Sequence, residues 1–109
     1  MDLAFGDEKL RSICLKKARA VASVGPEIAH ELVKRLADVR AAEVATDLLV
    51  GVSASTWNGS DVLVLSLKGG YALVLTANHL QNPTTACGKI NWAEVTRVKV
   101  LDLSRAIVP

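Results

Sequence analysis

Cysteine is nearly absent from this chain and never clustered: Cys14 and Cys87 stand alone, with no C-x-x-C pair and no histidine at ligand spacing. That leaves neither a metal cluster nor a disulfide framework to argue from, and a reduced, cytoplasmic protein is the simplest account. Long apolar runs are lacking too. Half of the residues are hydrophobic, yet no run approaches the ~18–20 residues that span a bilayer, so no membrane partner is expected. The opening segment MDLAFGDEKLR has no basic region followed by a long apolar stretch, which argues against a secretory signal. Gly69-Gly70 is not followed by a helical pattern, so a P-loop is excluded. No Ser-His-Asp, Cys-His or paired-carboxylate arrangement follows from spacing, and nothing implies a cofactor or a metal. Repeats, low-complexity tracts and linkers are missing as well, which points to one domain over residues 1–109.

Charge is unevenly spread although the net value is only +2. From Lys9 to Pro26 there are Lys9, Arg11, Lys16, Lys17 and Arg19 and no acidic residue, whereas Ala41 to Leu67 holds no basic one. Lys68, Lys89, Arg97, Lys99 and Arg105 return in the last third against Glu94 and Asp102. A basic first helix beside a basic last strand makes one electropositive face if the two are neighbours in space; otherwise these are solvated faces.

What is present reads as α+β. Asp2 to Phe5 suits a short strand, and Asp7 suits the N-cap of a helix with Glu8 in its first turn. Leu10, Ile13, Cys14, Val21 and Val24 form an apolar stripe that Lys17 interrupts. Gly25-Pro26 ends that helix and starts a second, in which Ile28, Leu32, Leu36 and Val39 recur at spacings of four, four and three. His30 falls on its polar side. Two antiparallel helices are therefore expected to lay apolar stripes on a sheet. A helical turn over Ala45–Leu48, a strand around Val50-Gly51-Val52 and an Asn58-Gly59 turn follow. After a loop from Ala77 to Lys89, Asn91 is placed to cap the turn Trp92-Ala93-Glu94. Thr96–Leu103 closes the chain as a strand with Arg97 and Lys99 on one side and Val98 and Val100 on the other.

The most apolar feature is the hairpin DVLVLSLKGGYALVLTANH, beginning at Asp61. A two-residue Gly69-Gly70 turn pairs Lys68 with Tyr71, Leu67 with Ala72 and Leu65 with Val74. Leu63, Leu65, Leu67, Ala72, Val74 and Thr76 then share one face, with Tyr71, Leu73 and Leu75 on the other. A turn one residue longer shifts the pairing and reverses this assignment.

Several segments together resemble the plasmid-maintenance killer proteins, HigB-like members of the RelE/ParE toxin superfamily. They are Phe5-Gly6-Asp7-Glu8-Lys9-Leu10, Cys14, the block RLADVRAA from Arg35 to Ala42, Tyr71-Ala72-Leu73-Val74-Leu75, and Ile90-Asn91-Trp92-Ala93-Glu94-Val95-Thr96-Arg97-Val98-Lys99-Val100-Leu101. The resemblance implies a RelE/ParE-like α+β fold, two N-terminal helices packed on a small twisted, mostly antiparallel sheet. It also implies a type II toxin–antitoxin system toxin of ribosome-dependent mRNA endoribonuclease ancestry. Its partners would be a cognate antitoxin of helix-turn-helix type, the ribosome and mRNA. Cleavage in such proteins is metal-independent: the RNA's own 2′-hydroxyl attacks, and the protein supplies a base, a cation for the phosphate and an acid.

Catalytic candidates on this basis are Tyr71, Lys99 and His79, and RNA-binding candidates are Lys68, Arg97, Arg105, Lys16, Lys17 and Arg19. Tyr71 is either a base-stacking ring or a packed edge residue, and Lys99 stands where relatives carry a basic residue. The chain departs from the family pattern at three places. Ala72 replaces the usual Arg after Tyr71, the Trp57–Ser60 turn lacks a basic residue, and Ser104-Arg105-Ala106-Ile107 lacks the acidic residue and His that often follow the last strand. The residues therefore leave a second class open, a non-catalytic protein-binding module on the same fold.

Overall fold

The computed structural model describes residues 1–48 and 51–105. Its elements run β1 (Asp2–Phe5), α1 (Glu8–Leu15), α2 (Lys17–Val24), α3 (Pro26–Ala41), β2 (Val52–Trp57), β3 (Ser60–Ser66), β4 (Tyr71–Ala77) and β5 (Arg97–Arg105). The five strands form one open sheet in the order β1-β5-β4-β3-β2, with β1 parallel to β5 and the other pairs antiparallel. Val50, expected in a strand, lies outside the described residues, as do Ala106 and Ile107.

Asp7 caps α1 as expected, its Oδ1 accepting from Leu10 N–H at 2.8 Å. The single first helix of the sequence reading is in fact two. Lys16 adopts an extended conformation (φ −115, ψ 113), ending α1 and opening α2. The apolar stripe explains the break. In a continuous helix Lys17 would follow Leu10 and Cys14 on the inward face; restarting at Lys17 leaves that residue exposed and turns Ala20 inward. α3 begins at Pro26 and buries Ile28, Ala29, Leu32, Leu36 and Val39, while His30 is exposed.

The hairpin is the main correction. β3 and β4 pair Leu65 with Leu73, Val64 with Val74 and Ser66 with Ala72, one residue out of the expected register. The cause is the longer turn: Lys68, Gly69 and Gly70 form a 3₁₀ turn closed by Leu67 N–H to Tyr71 C=O at 2.8 Å. Both glycines take positive φ, 67 and 76, which residues with a Cβ adopt at a cost. Leu63, Leu65 and Leu67 consequently share the helix-side face with Leu73, Leu75 and Ala77, and this cluster packs with the buried residues of all three helices. Val62, Val64, Ala72 and Val74 sit on the other, helix-free face with Trp57 and Leu101. Trp57 and Ser60 close the β2–β3 hairpin, with Asn58 (φ 51) and Gly59 (φ 80) in its two-residue turn as the sequence suggests.

A β-bulge shapes β5. Leu75 pairs with Val100 but Val74 pairs with Asp102, so Leu101 has no partner of its own. Val98 and Val100 face the helices. Beyond the bulge Leu103 takes over that role, and Asp102 and Ser104 turn to the open face opposite Val74 and Ala72. The loop after β4 is tied down through Asp61, whose carboxylate accepts from Ile90 N–H at 2.9 Å and lies 3.7 Å from Lys89 Nζ. Asn91 precedes the Trp92–Glu94 turn without capping it; its side-chain amide donates to Glu94 Oε2 at 3.1 Å.

Candidate nucleic-acid interface

The three catalytic candidates are distributed over three parts of the molecule. Tyr71 opens β4 on the helix-side face, packed against the main core cluster. Lys99 pairs with Thr76 in the strand register, between Val98 and Val100, and so projects from the open face. His79 lies past the far end of β4. Its Nε2 accepts from Thr96 N–H at 3.1 Å and its own N–H donates to Asn82 Oδ1 at 2.9 Å, so the ring pins the loop to the start of β5. Eight residue steps, most of them along β4, separate His79 from Tyr71, roughly 25 Å. A base, a cation and an acid acting on one phosphodiester have to lie within hydrogen-bond reach of it, and these three residues do not share such a space.

The RNA-binding candidates divide in the same way. Arg97 is at the far end with His79, its Nε 3.4 Å from Asp2 Oδ2 in an exposed ion pair. Lys68 sits in the exposed 3₁₀ turn, where its N–H donates to Glu31 Oε1 at 3.0 Å and anchors the turn to α3. Lys16 and Lys17 are exposed at the break between α1 and α2. Lys99 lies on the face of the sheet opposite the basic helices, whereas Arg105, at the end of β5, lies on their side.

One region does bring several candidates together. Beyond Gly6, whose N–H donates to Val100 C=O at 2.7 Å, β1 ends and β5 continues alone. The strand from Leu101 to Ser104 then forms one wall of a cleft of about 540 Å³, with Lys9, Leu10, Ile13, Ser23 and Val24 opposite and Tyr71 at its end. The Arg105 guanidinium stacks over the Tyr71 ring, 4.8 Å from the centroid. A smaller cleft of about 280 Å³ shares Lys9, Ile13 and Ser23 and adds Arg19. Arg105 on the half-exposed ring, Lys9 across the cleft and Arg19 in the adjoining one are the residue types that hold single-stranded nucleic acid, by stacking and by neutralising phosphates. The acidic residues Asp7, Asp102 and Glu8 line the same two clefts.

Sequence reasoning named Tyr71, Arg105 and Arg19 but missed Lys9, and it missed the pairing of Asp102 with Ser104. The Ser104 hydroxyl donates to Asp102 Oδ2 at 3.0 Å on the open face. Strand alternation from Val98 would have turned Asp102 toward the helices; only the bulge at Leu101 puts it outside. Cys14 is buried on the inward side of α1, and that burial pushes its thiol up to about 11 despite the opposing Arg40 charge. It is a packing residue rather than a nucleophile. Among the described residues no group of three His, Cys, Asp or Glu side chains is placed to hold a metal ion, and no helix is long and apolar enough to cross a membrane.

Comparison of the chain with protein-family models, with curated proteins and with solved structures found no match.

Proposed function

We propose that this protein is a type II toxin of the RelE/ParE class, HigB-like, descended from ribosome-dependent mRNA endoribonucleases, and that it holds RNA in the Tyr71 cleft. The reading rests on the segments that resemble that family. What supports it in space is a cleft lined by Lys9 and Tyr71, with Arg105 stacked on the Tyr71 ring and Arg19 in the adjoining cleft. Tyr71 supplies a stacking surface, and the cations supply sequence-independent attraction for phosphates. Its antitoxin would then have the acidic character that covers such a cleft. The direct test is induced expression of the chain in bacteria, alone and beside any adjacent helix-turn-helix antitoxin gene. Growth arrest that the antitoxin relieves and that Tyr71→Ala abolishes supports the reading; arrest that persists in Tyr71→Ala removes the cleft from it.

A second reading has its own observation. The separation of Tyr71, Lys99 and His79, with His79 Nε2 already engaged by Thr96, favours a non-catalytic binding module on this fold. Growth arrest without RNA cleavage, or no arrest even after Ala72→Arg, selects it.

A further inference from the structure

The two edges of the sheet are built differently. β1 is four residues long, carries Asp2, and is held by the Met1 amino group, which donates to the backbone carbonyls of Val39, Arg40 and Ala42 at the end of α3. Short length and charge are usual protections of an edge. β2 is the other edge, with the sequence Val-Ser-Ala-Ser-Thr-Trp: no charge, no proline, no bulge. Ser66 N–H donates to Gly51 C=O at 2.8 Å, so alternation directs the backbone groups of Ser53, Ser55 and Trp57 toward β3. Those of Val52, Ala54 and Thr56 point outward, and no described residue hydrogen-bonds to them.

We propose that β2 pairs antiparallel with β2 of a second copy of this chain, about a two-fold axis through Ala54, joining the two sheets into one. The register is set by the outward groups. With Ala54 opposite its own copy, Val52 lies opposite Thr56 of the second copy, and every outward N–H and C=O of the three residues on both chains finds a partner. Side chains on the same face then oppose one another, as an antiparallel pair requires. Ser53 meets Ser55 of the second copy on the open face, hydroxyl to hydroxyl. On the helix-side face, Val52 of the second copy arrives beside the cleft formed by Ala54, Thr56, Ile90 and Trp92. The two-fold axis sets residue 54 against its own copy, so a charge at that position would be repelled. β2 has none, and its residue on the axis is alanine. A strand shaped for a charged peptide would carry the opposite charge along its edge; this one is complementary to itself.

The test is the solution mass of the full chain by light scattering and sedimentation, for the wild type, Ala54→Lys and Ala54→Glu. The wild type is expected at twice the 11.6 kDa of one chain. Each charged variant places like charges face to face at the axis and is expected to weaken the dimer by about tenfold or more, with circular dichroism unchanged because Ala54 is exposed. Mixing the two variants restores a dimer, as expected when position 54 of one copy lies against position 54 of the other. A wild type that stays monomeric up to its solubility limit overturns the proposal. So does a dimer that survives both single substitutions, or a mixture that stays monomeric.

Discussion

At the scale of single residues, Tyr71 and His79 stand in different surroundings. Tyr71 keeps its place as a candidate contact because Arg105 stacks on its ring and Lys9 lies across the cleft. His79 Nε2 accepts from Thr96 N–H and ties the loop to the start of β5. His79→Ala should therefore cost about 1 kcal/mol of stability through the lost hydrogen bond and leave RNA affinity unchanged, as read by urea denaturation and by fluorescence anisotropy. Cys14 makes a prediction with a definite sign. Its native thiol titrates near 11 against an ordinary 9.0, so between those values the unfolded chain gives up a proton that the folded chain retains. Stability falls as pH rises from about 9 to about 11, and the slope disappears in Cys14→Ala. A thiol reagent at pH 8 should react with Cys87 alone in the native protein and with both cysteines in denaturant, since Cys87 is exposed and Cys14 buried.

At the scale of elements, the sequence made β1, the cap at Asp7, the start of α3 and the Asn58-Gly59 turn legible. The last three depend on local signals: an N-cap oxygen, a proline at the first helical position, a left-handed turn pair. Three features were hidden because they depend on contacts distant in sequence or on a one-residue count. The break at Lys16 follows from what the helix must bury, not from a glycine or proline. The register of β3 with β4 follows from one residue in the Lys68–Gly70 turn, and that residue moved Ala72 and Val74 to the open face. The bulge at Leu101 reversed the parity of β5 and carried Asp102 outward. The turn is open to direct test. A Cβ at Gly69 would sit at φ 67 with Ile28 Cδ1 3.4 Å away. Gly69→Ala should therefore destabilise the fold by about 1 kcal/mol, whereas Asp7→Ala should cost about 1 kcal/mol through α1 alone; denaturant midpoints check both.

At the scale of the molecule, the sheet separates two surfaces. The helix-side face carries the core and, at one end, the cleft with Tyr71, Lys9 and Arg105. The open face carries Lys99, Thr76, Asp102 and Ser104 over buried valines. Leu32 sits fully buried in the core cluster that joins α3 to the sheet. Leu32→Ala should therefore cost about 2–5 kcal/mol and unfold the cleft along with the rest. That global effect distinguishes loss of binding through unfolding from loss at the cleft itself. Neither surface was legible as a site from spacing alone, because Lys9 and Tyr71 are separated by most of the chain and only the ending of β1 at Gly6 opens the space between them.

The central claim, that RNA is held at the Tyr71 cleft, is tested most directly by the affinity of a labelled single-stranded RNA for the wild type, Tyr71→Ala and Lys99→Ala as salt is varied. With Lys9, Arg19 and Arg105 as the phosphate contacts, log affinity against log salt should have a slope of about −2. Tyr71→Ala should weaken binding by about tenfold or more through the lost stacking, and Lys99→Ala, on the opposite face, should leave it unchanged. Affinity lost in Lys99→Ala and kept in Tyr71→Ala would contradict the account.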